Sequence, residues 1–158
     1  MRKILVAMDT SKNSLKAVEY AASVIDESVQ ITLFHVFYKA YYGSIPGEKL
    51  PHHDVSFSGS TGEFKQWLQS QRIAAEEALE QGRRILVKAG ADGEKIKVKI
   101  VESEKGVARD ILNETERGGY DTIVIGRRGT SDIKQFLTGN IADKIVRHAH
   151  DCAVWVVG

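Results

Sequence analysis

The sequence predicts an α/β fold: one open parallel sheet of five strands with helices on both faces. The prediction rests on five short apolar or alternating runs, on amphipathic segments between them, and on glycine-containing turns at the changeovers. Strict alternation of strand and helix calls for parallel strands, because right-handed crossovers carry each connecting helix over a face of the sheet. At 158 residues the chain is read as one domain, 1–158, with a long insert at about 37–62. That length can bury a core without disulfides or a structural metal.

Lys3–Met8 is a continuous apolar run, as expected of a strand covered on both faces. Thr10 and Ser11 offer capping hydroxyls, and Leu15, Val18, Ala22 and Ile25 follow at helical spacing. Ile31–Val36, rich in β-branched and aromatic residues, is the second strand. From Phe37 to Gly62 the pattern breaks. Pro46, Pro51, Gly43, Gly47, Gly59 and Gly62 punctuate a connection that is either a variable surface insert or a lid over a ligand. A long helix is predicted from Glu63 to about Lys88, with Phe64, Leu68, Ala75, Leu79 and Leu86 inward and Gly90 and Gly93 at its end. In Lys95–Val101, Ile96, Val98 and Ile100 alternate with Lys95, Lys97 and Lys99, which marks an edge strand guarded by charge. Val107–Arg117 is a short helix closed by Gly118-Gly119, Thr122–Ile125 a buried strand, and a helix begins near Asn140. Ala153–Val157 completes the sheet.

Composition excludes several classes of function. With 22 Lys and Arg against 21 Asp and Glu, the net charge is +1, too balanced for a general nucleic-acid binder. A lone cysteine, Cys152, cannot form an internal disulfide. No apolar run approaches the roughly 20 residues that span a bilayer, and Asp9 interrupts Ile4–Met8 too early for a signal peptide. A soluble cytoplasmic protein, neither inserted in a membrane nor bound to nucleic acid, is expected.

Open parallel sheets bind ligands beyond the carboxyl ends of their strands, where the strand order reverses. With strand order 3-2-1-4-5, that crevice lies between the first and fourth strands. It is flanked by Asp9-Thr10-Ser11 and by Gly126-Arg127-Arg128-Gly129. Gly126, Gly129 and Gly139 follow a two-residue and then a nine-residue gap. Glycine lets backbone N–H groups approach a ligand without a Cβ in the way. Gly139 and Asn140 open a helix whose free N–H groups favour an anion, and the Asn140 amide adds donors. Arg127 and Arg128 supply positive charge. The alternative is that these glycines only shape a turn and Asn140 only caps a helix.

Gly126-x2-Gly129-x9-Gly139 followed by a small polar residue resembles the nucleotide-binding signature of the universal stress protein (UspA-like) family. Lys3–Ser11, His35-Val36, Val146–Ala149 and Val154–Val157 are similar to that family as well. The resemblance implies a Rossmann-like fold of the adenine nucleotide alpha hydrolase type and an adenine-nucleotide pocket of the family's ATP-binding branch. By that resemblance Ala7, Met8 and Asp9 line the adenosine end, with Val36 against the base. Ile125, Gly126, Arg128 and Gly129 flank the ribose and first phosphates, and Gly139, Asn140 and Ile141 hold the outer ones. Asp9 is expected to meet the ribose, or Mg²⁺ through a water molecule, unless it serves only as a cap. The family's ATP binders usually carry Ser or Thr at the position of Asn140, which keeps ADP and AMP beside ATP as ligands. Arg127 stands where small residues are common, so it either clamps phosphate or crowds it.

Rival constellations are weaker. His148-Ala-His150-Asp-Cys152 and His52-His53 offer metal-ligand atoms but fall short of a closed four-ligand set. Neither GxxxxGK[ST] nor a GxGxxG after the first strand is present. The sequence supplies no evident general base for attack on a γ-phosphate, so vigorous catalysis is not expected. The leading expectation is a stress-responsive regulator that binds ATP, with ADP or AMP as substitutes and Mg²⁺ as companion ion, and that signals to an unspecified protein partner. A nucleotide-free interaction module and a slow ATPase are the alternatives. A homodimer is expected through Ala153–Val157, a short apolar strand at a sheet edge.

Overall fold

In the computed structural model the described residues are 1–38, 40–42, 55–57, 61–127 and 141–158. Along the chain they form β1 (Lys3–Ala7), α1 (Lys12–Val24), β2 (Gln30–Phe37), β3 (Ala40–Tyr42), β4 (Val55–Phe57), α2 (Thr61–Lys88), β5 (Ile96–Glu102), α3 (Val107–Gly118), β6 (Thr122–Gly126), α4 (Ile141–His148) and β7 (Ala153–Val157). The main sheet is parallel in the order β5-β2-β1-β6-β7, which is the expected 3-2-1-4-5 when its members are numbered along the chain.

Period-two alternation in β1 divides the core between the two faces. Ile4 and Val6 point to the side of α1 and α2, where they join Val18, Leu33, Leu79, Leu86 and Val124. Leu5 and Ala7 point to the side of α3 and α4, with Phe34, Ile111, Ile123 and Ile145. Strand positions wetted on neither face are apolar, which is why Ile4–Ala7 and Ile123–Ile125 read as unbroken runs.

Ser11 caps α1, its hydroxyl accepting from the Ser14 N–H at 3.2 Å. α3 ends at Gly119, in the left-handed region at φ 63°, and the Tyr120 N–H turns back to the Thr115 carbonyl. The Tyr120 hydroxyl then donates to buried Thr32 of β2 at 2.8 Å, tying the α3–β6 connection to the sheet. A Cβ on Gly118 would lie 2.1 Å from the Tyr120 ring, so this closure requires a glycine there.

Two expectations need correction. Leu68 does not face the core. It is 41% exposed, and burial along α2 begins only at Ala75. A helix of 28 residues runs about 42 Å, whereas the eight residues of β2 span only about 26 Å, so one half of α2 outruns the sheet it covers. Val98, expected inward on the edge strand, is 46% exposed, because β5 has a strand on one side only and lies at the margin of the helix layer. The insert at 37–62 contributes two short strands that the sequence pattern did not predict. β3 and β4 pair in parallel, Ala40 opposite Val55 and Tyr42 opposite Phe57, as a two-stranded sheet of their own.

Candidate functional site

β1 lies at the reversal of strand order. The chain leaves it for β2 on one side and returns, after β5, to β6 on the other. The crevice beyond the carboxyl ends of β1 and β6 is therefore the place where such a sheet receives a ligand.

Four of the expected residues, one from each of four elements, belong to a single packed apolar cluster. Ala7 of β1 is paired with Ile125 of β6. Val36 of β2 and Ile141, the first residue of α4, belong to the same packed cluster on the α3–α4 face. Ala7, Val36 and Ile125 are each less than a tenth exposed. The structure thus brings together four of the expected site residues: Ala7, Val36, Ile125 and Ile141.

The rim is the turn from β1 into α1. The Met8 N–H makes a ladder bond to the Phe34 carbonyl at 2.8 Å. One Asp9 carboxylate oxygen accepts from the Ser11 N–H at 2.8 Å and from the Ser11 hydroxyl, and the Asp9 N–H donates to the Ser14 hydroxyl at 3.0 Å. Asp9 therefore serves the turn with its backbone and one oxygen. The Met8 side chain is directed away from the crevice into the α1–α2 core, where Gly82 makes room for it: a Cβ on Gly82 would lie 3.1 Å from the Met8 sulfur and terminal methyl. Met8 thus lines the site through backbone alone.

Gly126 has a steric requirement of its own: a Cβ there would meet the carbonyl oxygen of Asn13 at 2.8 Å and its carbon at 2.9 Å, in the first turn of α1. The next amide, of Arg127, donates to the Val157 carbonyl at 2.6 Å and is used inside the sheet. The Arg127 stem lies beside Gly158 at the end of β7. Arg128, Gly129, Gly139 and Asn140, the rest of the expected phosphate-binding set, lie outside the described residues.

Sequence reasoning gave no site role to two residues here. Tyr38, just past β2, lines a groove of about 840 Å³ that runs between α3 and α4 from Lys105 and Ile141 at one end to Asp121 and Cys152 at the other. Its phenol is pushed up in pKa by burial and then by the Asp9 carboxylate. His35 is 9% exposed and donates from Nδ1 to the Met8 carbonyl at 2.8 Å, with its ring edge-to-face on Phe37. Burial lowers its pKa, opposed by the Met8 carbonyl and Asp9. The parallel register that sets Ala7 opposite Phe34 brings Met8 beside His35; the hydrogen bond itself leaves no sequence signal.

Among the described residues, no group of three or more His, Cys, Asp and Glu could hold a metal ion. Burial, then Asp151 and Asp121, push the Cys152 thiol up, which disfavours the thiolate a metal would need. No described helix is long and apolar enough to cross a membrane.

Comparison with known proteins gives the fold a context. The sequence model of the Universal stress protein family matches residues 1–158. The chain is 26% identical over 157 residues to the universal stress protein MJ0531 of Methanocaldococcus jannaschii, covering 99% of this chain and 81% of that one. It is 27% identical over 159 residues to the universal stress protein YxiE of Bacillus subtilis, covering 98% and 97%. Among solved structures, the universal stress protein of Archaeoglobus fulgidus in complex with dAMP superposes with a TM-score of 0.63 at 19% identity, covering 100% of this chain and 98% of that one. An Arabidopsis thaliana family protein with AMP bound gives 0.63 at 19%, covering 99% and 91%. A universal stress protein in complex with cAMP gives 0.63 at 16%, covering 99% and 96%.

Proposed function

The chain belongs to the universal stress protein family, and from that premise we propose that it binds an adenine nucleotide in the crevice between β1 and β6, as a regulatory ligand in a stress response. The observation that supports this reading is that Ala7, Val36, Ile125 and Ile141, from four elements, belong to one packed apolar cluster, which would form the floor of that crevice. A purine is flat and largely apolar, and such a floor removes it from water, while the β1–α1 turn offers polar groups at the edge. The AMP, dAMP and cAMP held by three structural neighbours support adenosine with its first phosphate as the common part of the ligand.

ATP is the proposed full ligand, with ADP and AMP as shorter forms. Its outer phosphates would fall to Gly139, Asn140 and the N-terminal end of the helix they precede. Mg²⁺ would accompany the triphosphate, with Asp9 reaching it through water. The protein's role is then to hold the nucleotide and present a changed surface to a partner protein. Calorimetric titration with ATP, ADP and AMP tests this: binding in the micromolar range is expected, and absence of heat or thermal shift with all three refutes it.

A second reading, a nucleotide-free interaction module, is favoured by Gly126, whose glycine is already explained by the approach of α1. Mass spectrometry of material released from the denatured protein separates the two, since a co-purified adenine nucleotide supports only the first. We further propose that the protein is a homodimer joined through β7.

A further inference from the structure

We propose that His35 is a positioning residue of the nucleotide site: through the Met8 carbonyl it holds the β1–α1 turn, and with it Asp9, at the edge of the crevice. The inference rests on the adenine-nucleotide reading for its ligand, but its structural half stands independently.

The geometry fixes the ring's chemistry. A carbonyl oxygen can only accept, so the Nδ1 atom 2.8 Å from the Met8 oxygen carries the proton. An imidazole at this position costs desolvation that a leucine would not, and burial is the largest influence on it. What the ring gains is a bond no aliphatic side chain can make. Met8 is thereby gripped twice by β2: its N–H by the Phe34 carbonyl and its carbonyl by the His35 side chain. The next residue, Asp9, begins the set of bonds to Ser11 and Ser14 that starts α1. The ring is itself braced edge-to-face against Phe37 at 4.7 Å. Immobilising the turn before the ligand arrives removes an ordering cost from binding.

The test compares His35→Phe, which keeps an aromatic ring and loses the donor, with His35→Asn, whose amide nitrogen can take the place of Nδ1. The probe is AMP, followed by calorimetry, together with hydrogen exchange at the amides of Asp9, Ser11 and Ser14 and urea unfolding of each protein. For His35→Phe we expect about tenfold weaker AMP binding and faster exchange confined to that turn, with both restored to within about threefold by His35→Asn. A merely structural histidine would lower the urea midpoint in both variants and leave the AMP affinity of the folded protein unchanged, which overturns the proposal. If the wild-type protein binds no adenine nucleotide, the functional reading fails; turn-confined exchange in His35→Phe would still uphold the clamp, and unchanged exchange would remove it too. The ¹⁵N shifts of the wild-type imidazole need no variant: a proton on Nε2 with Nδ1 bare contradicts the assigned bond.

Discussion

At Gly126 a side chain is missing because α1 leaves no room for one. The atoms a Cβ would strike, the Asn13 carbonyl oxygen at 2.8 Å and carbon at 2.9 Å, are helix backbone and cannot swing aside. Gly82 is the opposite case: its near neighbours are the terminal atoms of Met8 and Leu33, which can. Gly126→Ala should therefore cost about 1–3 kcal/mol in urea unfolding, the range for forced overpacking. A neutral result would mean that α1 sits farther from β6 than described. His35 makes a prediction in pH. Its folded pKa is lowered from 6.5 by burial, so between the two values the unfolded chain binds more protons than the folded one. Its neutral state is consequently available without cost above pH 6.5, and stability is lost as pH falls below it. The stability lead of wild type over His35→Asn should shrink between about pH 7.5 and about pH 5.5, read from urea midpoints. A lead that does not change with pH would contradict a buried neutral imidazole. Neither residue could be read fully from the sequence. The glycine spacing singled out Gly126, but a spacing does not say which atoms the absent Cβ would meet.

Elements were far more legible than contacts, and the differences have physical causes. The β7 range was read without error as Ala153–Val157, and β1 and β6 to within a residue at their carboxyl ends, because each is a short run of mostly β-branched and other apolar residues bounded by polar or turn-forming ones. The long helix starts two residues earlier than expected, at Thr61, since Gly62 reads as a breaker yet is accommodated in a helix's first turn. β3 and β4 were missed: three residues each are too few to display a period, and their partnership spans a stretch rich in turn formers. The inward stripe assigned to α2 failed where the helix extends past the sheet, because periodicity reports which side of a helix is apolar but not how far its support extends. For the candidate site, the residues came from the resemblance to the family, and Ala7, Val36 and Ile125 coincide with the carboxyl ends of strands whose burial the sequence pattern shows. The Met8 side chain continues the alternation of Ile4 and Val6 into the α1–α2 core, so of the residues at this strand end it is the one whose side chain leaves the α3–α4 face.

The two edges of the sheet differ in chemistry, and that difference bears on assembly. β5 carries Lys97 and Lys99 at one margin, the latter paired with Glu114 at 2.7 Å, and charge of this kind discourages a second strand from adding on. β7, at the other margin, is Ala-Val-Trp-Val-Val and has no charged residue. Exposed apolar and aromatic side chains flank it on both faces. Trp155 meets Tyr20 of α1 edge-to-face at 5.9 Å, and Tyr20 is still 47% exposed. On β7 itself Val156 is 42% exposed, and Val146 of α4 is 54% exposed. A two-fold axis through the middle of β7 would set it antiparallel to its own copy, so that the same residues meet on both sides and the edge is closed without forming an open chain of subunits. Light scattering of the wild-type protein should then give twice 17.5 kDa. Val156→Lys, at a site already open to solvent, should leave the helical and strand content intact and give the single mass, because a lysine at the pairing edge costs little in a monomer and much beside its symmetry mate. A wild-type protein that remains monomeric at micromolar concentration would show that this bare edge is covered by something other than a second copy.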